Sequence, residues 1–251
     1  MRFEIITIFP QTFEPYLNVG ILRRARGWKK AIDVRVHNLR DFTSDKHKTV
    51  DDRPYGGGAG MLLKAEPIIR AIARVKSRTG TGMRSRNSAR PKRKTTRVIL
   101  FSAKGKTYDQ KKARELSTYD QLILICGRYE GVDERVLNYV DEEISVGEYI
   151  LTGGEIPAMI VIDSVARLLP GVLGHEDSNK DESHSKKGVL EYPHFTRPES
   201  LELPKRLEKY LVRPKSKRIK NQVPSVLLSG DHEKVADWRE KKKRKIRDRF
   251  A

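Results

Sequence analysis

Cysteine is nearly absent from this chain of 251 residues, with Cys126 alone. That excludes an internal disulfide framework and every multi-cysteine zinc pattern, and it fits a reducing compartment. Long apolar runs are also missing. The strongest, Gln121 to Cys126, falls far short of the ~20 residues that cross a bilayer, so a soluble protein with no membrane partner is expected. The N-terminus, MRFEIITIFP, carries Glu4 within its apolar stretch and lacks a small-residue cleavage site. No secretory signal is read there, and a cytoplasmic location follows. The six histidines, His37, His47, His175, His184, His194 and His232, show no HExxH or other metal spacing, so no metal site is assigned. No GxGxxG occurs, which removes the signature of a dinucleotide site. FSAKGKT ends like a phosphate loop, but Leu100 stands where that loop needs its first glycine.

Positive charge is abundant: 52 Lys and Arg face 33 Asp and Glu, a formal charge of +19. Three segments hold the excess, Lys76 to Arg97, Lys205 to Lys220 and Lys234 to Phe250, with a combined net charge of +22. The rest of the chain is therefore slightly acidic, at −3. A near-neutral body with basic appendages points to a polyanion. Lys and Arg without interleaved aromatics suit phosphate-backbone attraction rather than base stacking. KVADWREKKKRKIRDRF has too little apolar face for stable attachment to a membrane surface.

Hydrophobic residues make up 37% of the chain, enough for a core at this length. Strands are expected at Phe3 to Phe9, Ile32 to Val36, Val98 to Ser102 and Gln121 to Cys126. Helical periods lie between and after them, at Ala65 to Val75, Tyr108 to Leu116 and Asp133 to Tyr139. This alternation is that of a parallel α/β sheet, and the continuous apolar run QLILIC fits a central strand covered on both faces. From Gly171 to about Pro198 the chain turns polar and reads as an exposed loop. Beyond it, Leu201 to Val212 reads as helical, Pro224 to Ser229 as extended, and Asp231 to about Phe250 as a basic helix with an Asp cap.

Ligands of open parallel sheets bind at the strand C-termini. The loops there are Ser102-Ala103-Lys104-Gly105, Gly127-Arg128-Tyr129-Glu130-Gly131 and Ser145 to Gly154. The glycines of RPYGGGAGM also permit close backbone approach, although a plain turn explains them equally well. Cys126 closes an apolar strand and reads as a small buried hydrophobe rather than a nucleophile. Pro157 suits the first turn of the helix that follows Gly153-Gly154. Arg167 is the single basic residue on that otherwise apolar helix, so it needs either an anionic or carbonyl-rich ligand or an ion pair with Asp163, one turn earlier.

FTSDKHKTVDDRPYGGGAGM, LILICGRYEGVDERV, SVGEYILTGGEIPAMIVIDSVARLLPGVLG, LEYPHFTRPE and VPSVLLSGDH, in this order, resemble the bacterial tRNA (guanine-N1)-methyltransferases of the SPOUT superfamily. The resemblance covers Met1 to about Glu199 and resumes from Val223 to Trp238. It implies a SPOUT-type α/β parallel sheet with a deep trefoil knot, here joined to a short basic C-terminal helical segment. The implied activity is methyl transfer from S-adenosylmethionine to N1 of the guanosine immediately 3′ of the anticodon, position 37, in tRNA. A methyltransferase acting on another RNA and a non-catalytic RNA-binding protein remain the alternatives. DNA is not an expected partner, and the sequence leaves any dependence on Mg2+ open.

The resemblance also implies a homodimer with its active site at the subunit interface. Carried residue by residue, it assigns the donor to Leu100, Phe101, Ser102, Gly127, Val146, Gly147, Glu148, Tyr149, Ile150 and Leu151, with Gly153, Gly154 and Pro157 behind them. Arg167 stands at the family's catalytic arginine. The family's base is the Asp of an Asp-Ser-Phe/His motif; here Glu182 occupies that position in Asp181-Glu182-Ser183-His184, and Asp181 precedes it. Ser102-Ala103 replaces the usual Ser-Pro. The implied division is a methyltransferase domain over 1–170, a loop over 171–198 and a basic tRNA-binding segment over 199–251. That last segment is shorter than usual, and the basic insertions are expected to substitute partly for what is missing.

Overall fold

A computed structural model describes residues 1–79, 94–174, 182–202, 204 and 222–245. The chain separates into two compact units, Met1–Glu176 and Asp177–Ala251. The first contains, in chain order, β1 (Arg2–Thr7), α1 (Glu14–Leu17), α2 (Gly20–Arg26), β2 (Asp33–Asn38), β3 (Asp51–Asp52), β4 (Leu62–Leu63), α3 (Ala65–Thr79), β5 (Lys94–Thr107), α4 (Gln110–Leu116), β6 (Tyr119–Cys126), β7 (Glu142–Ser145) and α5 (Glu155–Ala166). Five strands form one parallel sheet in the order β2-β1-β6-β5-β7.

The continuous apolar strands follow from this layering. Successive side chains of a strand point to opposite faces. In β6, Leu122, Leu124 and Cys126 join one core cluster with α5 residues such as Val161 and Val165, whereas Ile123 and Ile125 join the other beneath Ile68 and Ile72 of α3. Each fully buried aliphatic side chain contributes about 1.5–3 kcal/mol, so a strand apolar on both faces is worth most at the centre of the sheet. Glu4 of β1 is also buried, at 3% exposure, with His37 Nε2 at 2.6 Å and Arg2 Nε at 3.8 Å from its carboxylate.

Several expectations shift in detail. The third strand runs for 14 residues, Lys94–Thr107, with its register to β7 broken between Phe101 and Lys106. Gly105, Lys106 and Thr107 therefore end a strand instead of opening a phosphate-binding helix, and α4 begins only after Asp109, whose carboxylate accepts the Lys112 amide. Asp133 to Tyr139 is a 3-10 turn over Glu134–Tyr139, not an α-helix. The Asp133 carboxylate accepts the Arg135 amide and side chain, which competes with a regular α-turn.

β7 carries no strand signature in the sequence, because its acids Glu142 and Glu143 hide the pattern. Glu142 accepts hydrogen bonds at 3.0 Å from both Arg97 and Lys112. Burial alone would raise its carboxyl pKa, but these two bonds outweigh burial and hold it below the ordinary carboxylate range. A pKa lower in the folded than in the unfolded chain adds stability above the unfolded value, and that stability is lost as pH falls through the folded value. Glu142→Gln should therefore be less stable than the parent in urea at neutral pH, with the gap closing in acid. A gap independent of pH would assign the effect to packing alone.

In the second unit, β8 (Val189–Leu190) pairs antiparallel with β9 (Arg244–Lys245), and α6 (His232–Lys242) lies between them in the chain. Asp231 caps α6 by accepting the Lys234 amide at 3.1 Å, as expected. The helix stops at Lys242 because Lys243 turns extended (ψ 139°) into β9, so it does not run on towards Phe250. Pro224 to Ser229 is a 3-10 turn over Ser225–Leu228 rather than an extended piece. Trp238 packs near Phe195, ring centroids 6.3 Å apart, and Arg239 lies over Tyr192 at 5.2 Å. The Leu201 to Val212 helix, the whole of Lys205 to Lys220 and most of Lys76 to Arg97 lie outside the described residues.

Candidate active site

Parallel strands bring their C-terminal ends to one edge, so the segments leaving β6 and β7 and the irregular part of β5 converge there. They surround a cavity of about 640 Å³. Leu100, Phe101, Ser102, Gly127, Val146, Gly147, Tyr149, Ile150, Leu151, Gly153, Gly154 and Pro157 line it; Glu148 is not among the lining residues. Leu62, Arg128, Glu130 and Glu134 also contribute to the wall. Arg128 and Glu130 are legible in the sequence as loop residues, whereas Leu62, distant in the chain, enters the wall only through β4.

Glycine is required where these segments cross. Gly154 donates its amide to the Gly127 carbonyl at 2.9 Å, and a Cβ on Gly154 would stand 2.6 Å from Cys126 Cα. A Cβ on Gly105 would likewise meet the Ile144 nitrogen at 2.6 Å, so the tail of β5 passes directly against β7. Ser145 Oγ donates to the Gly147 carbonyl at 2.9 Å, and the Tyr149 hydroxyl donates to the Val146 carbonyl at 3.1 Å. These two bonds shape the 146–151 loop from within.

One buried carboxylate ties the cavity wall together. Glu155, at 2% exposure, accepts the Thr7 hydroxyl at 2.7 Å from the end of β1 and Arg128 Nε at 3.0 Å from the loop after β6. Arg128 also donates to the Thr152 carbonyl at 3.1 Å, and its guanidinium lies 4.6 Å from the Phe9 ring centroid. No sequence signal singles out Glu155, since an acid in a first helical turn ordinarily faces solvent and serves the helix dipole. Cys126 lies beneath this cluster, 2% exposed. Burial pushes its thiol pKa well above the usual value, with Glu155 adding to the rise, so the neutral thiol packs as a hydrophobe.

Arg167 is half-buried at the C-terminal cap of α5, one residue past the end of the helix on which it was expected, and is not a cavity-lining residue. Its amide bonds the Asp163 carbonyl at 3.2 Å. The Asp163 carboxylate accepts the Tyr16 hydroxyl at 2.7 Å, a bond that pushes the Tyr16 pKa up to about 12. Glu182 lies in the second unit, in a turn closed by hydrogen bonds from the Ser185 amide to the Glu182 carbonyl (2.9 Å) and from the His184 amide to the Val189 carbonyl (2.8 Å). Asp181 is outside the described residues. Among the described residues, no group of three or more His, Cys, Asp or Glu could hold a metal ion, and no helix is long and apolar enough to cross a membrane.

Comparison with known proteins adds a family. The model for tRNA (Guanine-1)-methyltransferase TrmD matches residues 1–250. A tRNA (guanine-N(1)-)-methyltransferase of Dictyoglomus turgidum is 46% identical over 241 residues, covering 96% of this chain and 84% of the relative. One from Carboxydothermus hydrogenoformans is 48% identical over 242 residues, covering 96% and 82%. Among solved structures, the tRNA (m1G37) methyltransferase of Aquifex aeolicus superposes with a TM-score of 0.70 at 36% identity, covering 95% of this chain and 87% of that one. The chain belongs to the tRNA (guanine-N1)-methyltransferase family.

Proposed function

We propose that the chain transfers a methyl group from S-adenosylmethionine to N1 of guanosine 37 in tRNA. Family membership over 96% of the chain, together with the cavity at the sheet's C-terminal edge, carries this reading. The cavity suits the donor in size and in lining. Gly127, Gly153 and Gly154 offer backbone without side chains, and Leu100, Ile150, Leu151 and Pro157 offer apolar walls for a purine. S-adenosylmethionine supplies an electrophilic methyl group when bound. Gly154→Ala should weaken donor binding in calorimetry at least tenfold, because the added methyl group strikes backbone; unchanged affinity would remove the 127–154 crossing from the site.

Guanine N1 carries a proton that must leave, and negative charge then develops on O6. In this reading Glu182, or Asp181 beside it, takes the N1 proton and Arg167 donates to O6. The family and the crossings at Gly105 and Gly154 support a deep trefoil knot. Exposed Val19, Ile150 and Ile156, at 56%, 84% and 54%, support a homodimer with the active site at its interface. The division at 170 and 198, the cytoplasmic location and any use of Mg2+ belong to the same proposal.

The deciding experiment is labelled methyl transfer to paired tRNA transcripts with G or A immediately 3′ of the anticodon, followed by mass spectrometry of the nucleosides. N1-methylguanosine from the G transcript alone supports the reading. Donor binding without transfer to either transcript would overturn it in favour of another RNA.

A further inference from the structure

The turn from α2 to β2 carries the sequence Arg23-Arg24-Ala25-Arg26-Gly27-Trp28-Lys29-Lys30, five cations around one tryptophan. It lies outside the three basic segments that dominate the charge. Trp28 is 94% exposed, whereas its apolar neighbours Leu22 and Ala25 are buried at 4% and 0%. A large aromatic left almost wholly in water is informative in a way that a scattered exposed aliphatic is not.

The turn is built to hold this tryptophan outward. Gly27, Lys29 and Ala31 donate their amides to the carbonyls of Arg23 (3.0 Å), Arg24 (3.1 Å) and Ala25 (2.8 Å), folding the turn back on the end of α2. The terminal ammonium of Met1 donates to the Ala31 carbonyl at 2.8 Å, bringing a further cation to its base. Asp33, at the start of β2, is engaged by Arg2 at 3.2 Å and Arg35 at 2.9 Å. Arg26 donates to Asn18 Oδ1 at 3.0 Å, and the salt bridges of the described residues leave Arg23, Arg24, Lys29 and Lys30 without an acidic partner. Arg23, Arg26 and Lys30, together with Asn18 and Asp33, line an adjoining cleft of about 540 Å³.

Basic side chains in the last turn of α2 would complement its dipole, but that account stops at Arg26 and leaves Trp28, Lys29 and Lys30 unexplained. A membrane surface is disfavoured because the described residues flanking Trp28 in the turn are cations and a glycine, not exposed apolar side chains that could insert with it. An aromatic ring amid unpaired cations is instead the pattern that stacks an unpaired base while neutralising phosphates.

We propose that the α2–β2 turn is a second tRNA-contact surface, with Trp28 stacked on an unpaired base and Arg23, Arg24, Lys29 and Lys30 on the phosphates. This rests on the reading of tRNA as substrate. The turn precedes β2, so it sits at the N-terminal edge of the sheet, opposite the cavity. The strands between them span about 20 Å, less than one ~34 Å turn of a duplex, so one folded RNA can reach both.

The test uses the full chain, which has two tryptophans. In a Trp238→Phe variant the emission of Trp28 alone is titrated with tRNA, without S-adenosylmethionine. In parallel, Trp28→Ala, Trp28→Phe and Arg23→Gln/Arg24→Gln variants are assayed for methyl transfer. Saturable quenching is expected, with the KM for tRNA raised at least fivefold in Trp28→Ala, kcat and donor affinity unchanged, and most of the loss restored in Trp28→Phe. The arginine pair should reduce the salt dependence of binding. Trp28 is exposed, so its replacement leaves the core intact.

Unchanged KM in Trp28→Ala overturns the proposal, with or without quenching. Quenching by anionic vesicles but not by tRNA also overturns it. The titration needs no catalysis, so a chain that fails to methylate tRNA but still quenches on binding it would defeat the functional reading and leave this surface standing.

Discussion

Arg167→Ala should lower kcat for methyl transfer by about 10²–10³-fold under the proposed role of its guanidinium at O6, because removing one donor to a developing oxyanion usually costs that much. As N1 loses its proton, O6 gains charge, and a guanidinium stabilises that charge more in the transition state than in the ground state. The loss should therefore fall on kcat, leaving donor affinity by calorimetry and the KM for tRNA nearly unchanged. Arg167→Lys should recover little, since an ammonium does not reproduce the fork of a guanidinium. Arg167 closes α5 as its C-cap and is half-buried, so a stability measurement on each variant must accompany the kinetics. A variant folded like the parent and retaining kcat within threefold would remove Arg167 from the chemistry.

Core strands were legible in this sequence because burial on both sides leaves an unbroken apolar run, as in Gln121 to Cys126. The helix start at Asp231 is legible because an Asp side chain there accepts an amide that the first helical turn leaves unpaired. What escaped was held by long-range pairing. β7 is four residues long and begins Glu142-Glu143; its place in the sheet depends on Arg97 and Lys112, 45 and 30 residues away. β8 and β9 are two residues each and pair across more than fifty positions of chain, beyond any periodicity.

The cavity followed the same division. Its glycine-rich loops could be read from their position after strands, whereas Leu62 and Glu155 needed the fold. Trp28 escaped for the opposite reason. Trp in a short turn is ordinarily assigned to the core, and only its 94% exposure sets it apart.

Glu155 offers the largest expected effect on stability. Its carboxylate is almost completely buried, and its hydrogen bonds come from Thr7 at 2.7 Å and Arg128 at 3.0 Å. Removing one member of a buried pair strands the other's charge, which typically costs about 3–5 kcal/mol, whereas replacing both together can be nearly neutral. Arg128→Met should therefore destabilise the chain by roughly 3 kcal/mol in urea unfolding, and Glu155→Gln by somewhat less, because an amide can still accept from Thr7.

The Arg128→Met/Glu155→Gln double variant should recover part of the loss, giving a coupling energy of about 1 kcal/mol or more. The pair, with Thr7, also joins the end of β1 to the loop after β6 and the start of α5, and the last two of these line the cavity. Donor affinity should accordingly fall in both single variants, even at temperatures where each is fully folded. Additive single effects, with donor affinity intact, would show that the pair only fills space. A large coupling with weakened donor binding would show that this buried ion pair holds the cavity in its binding shape.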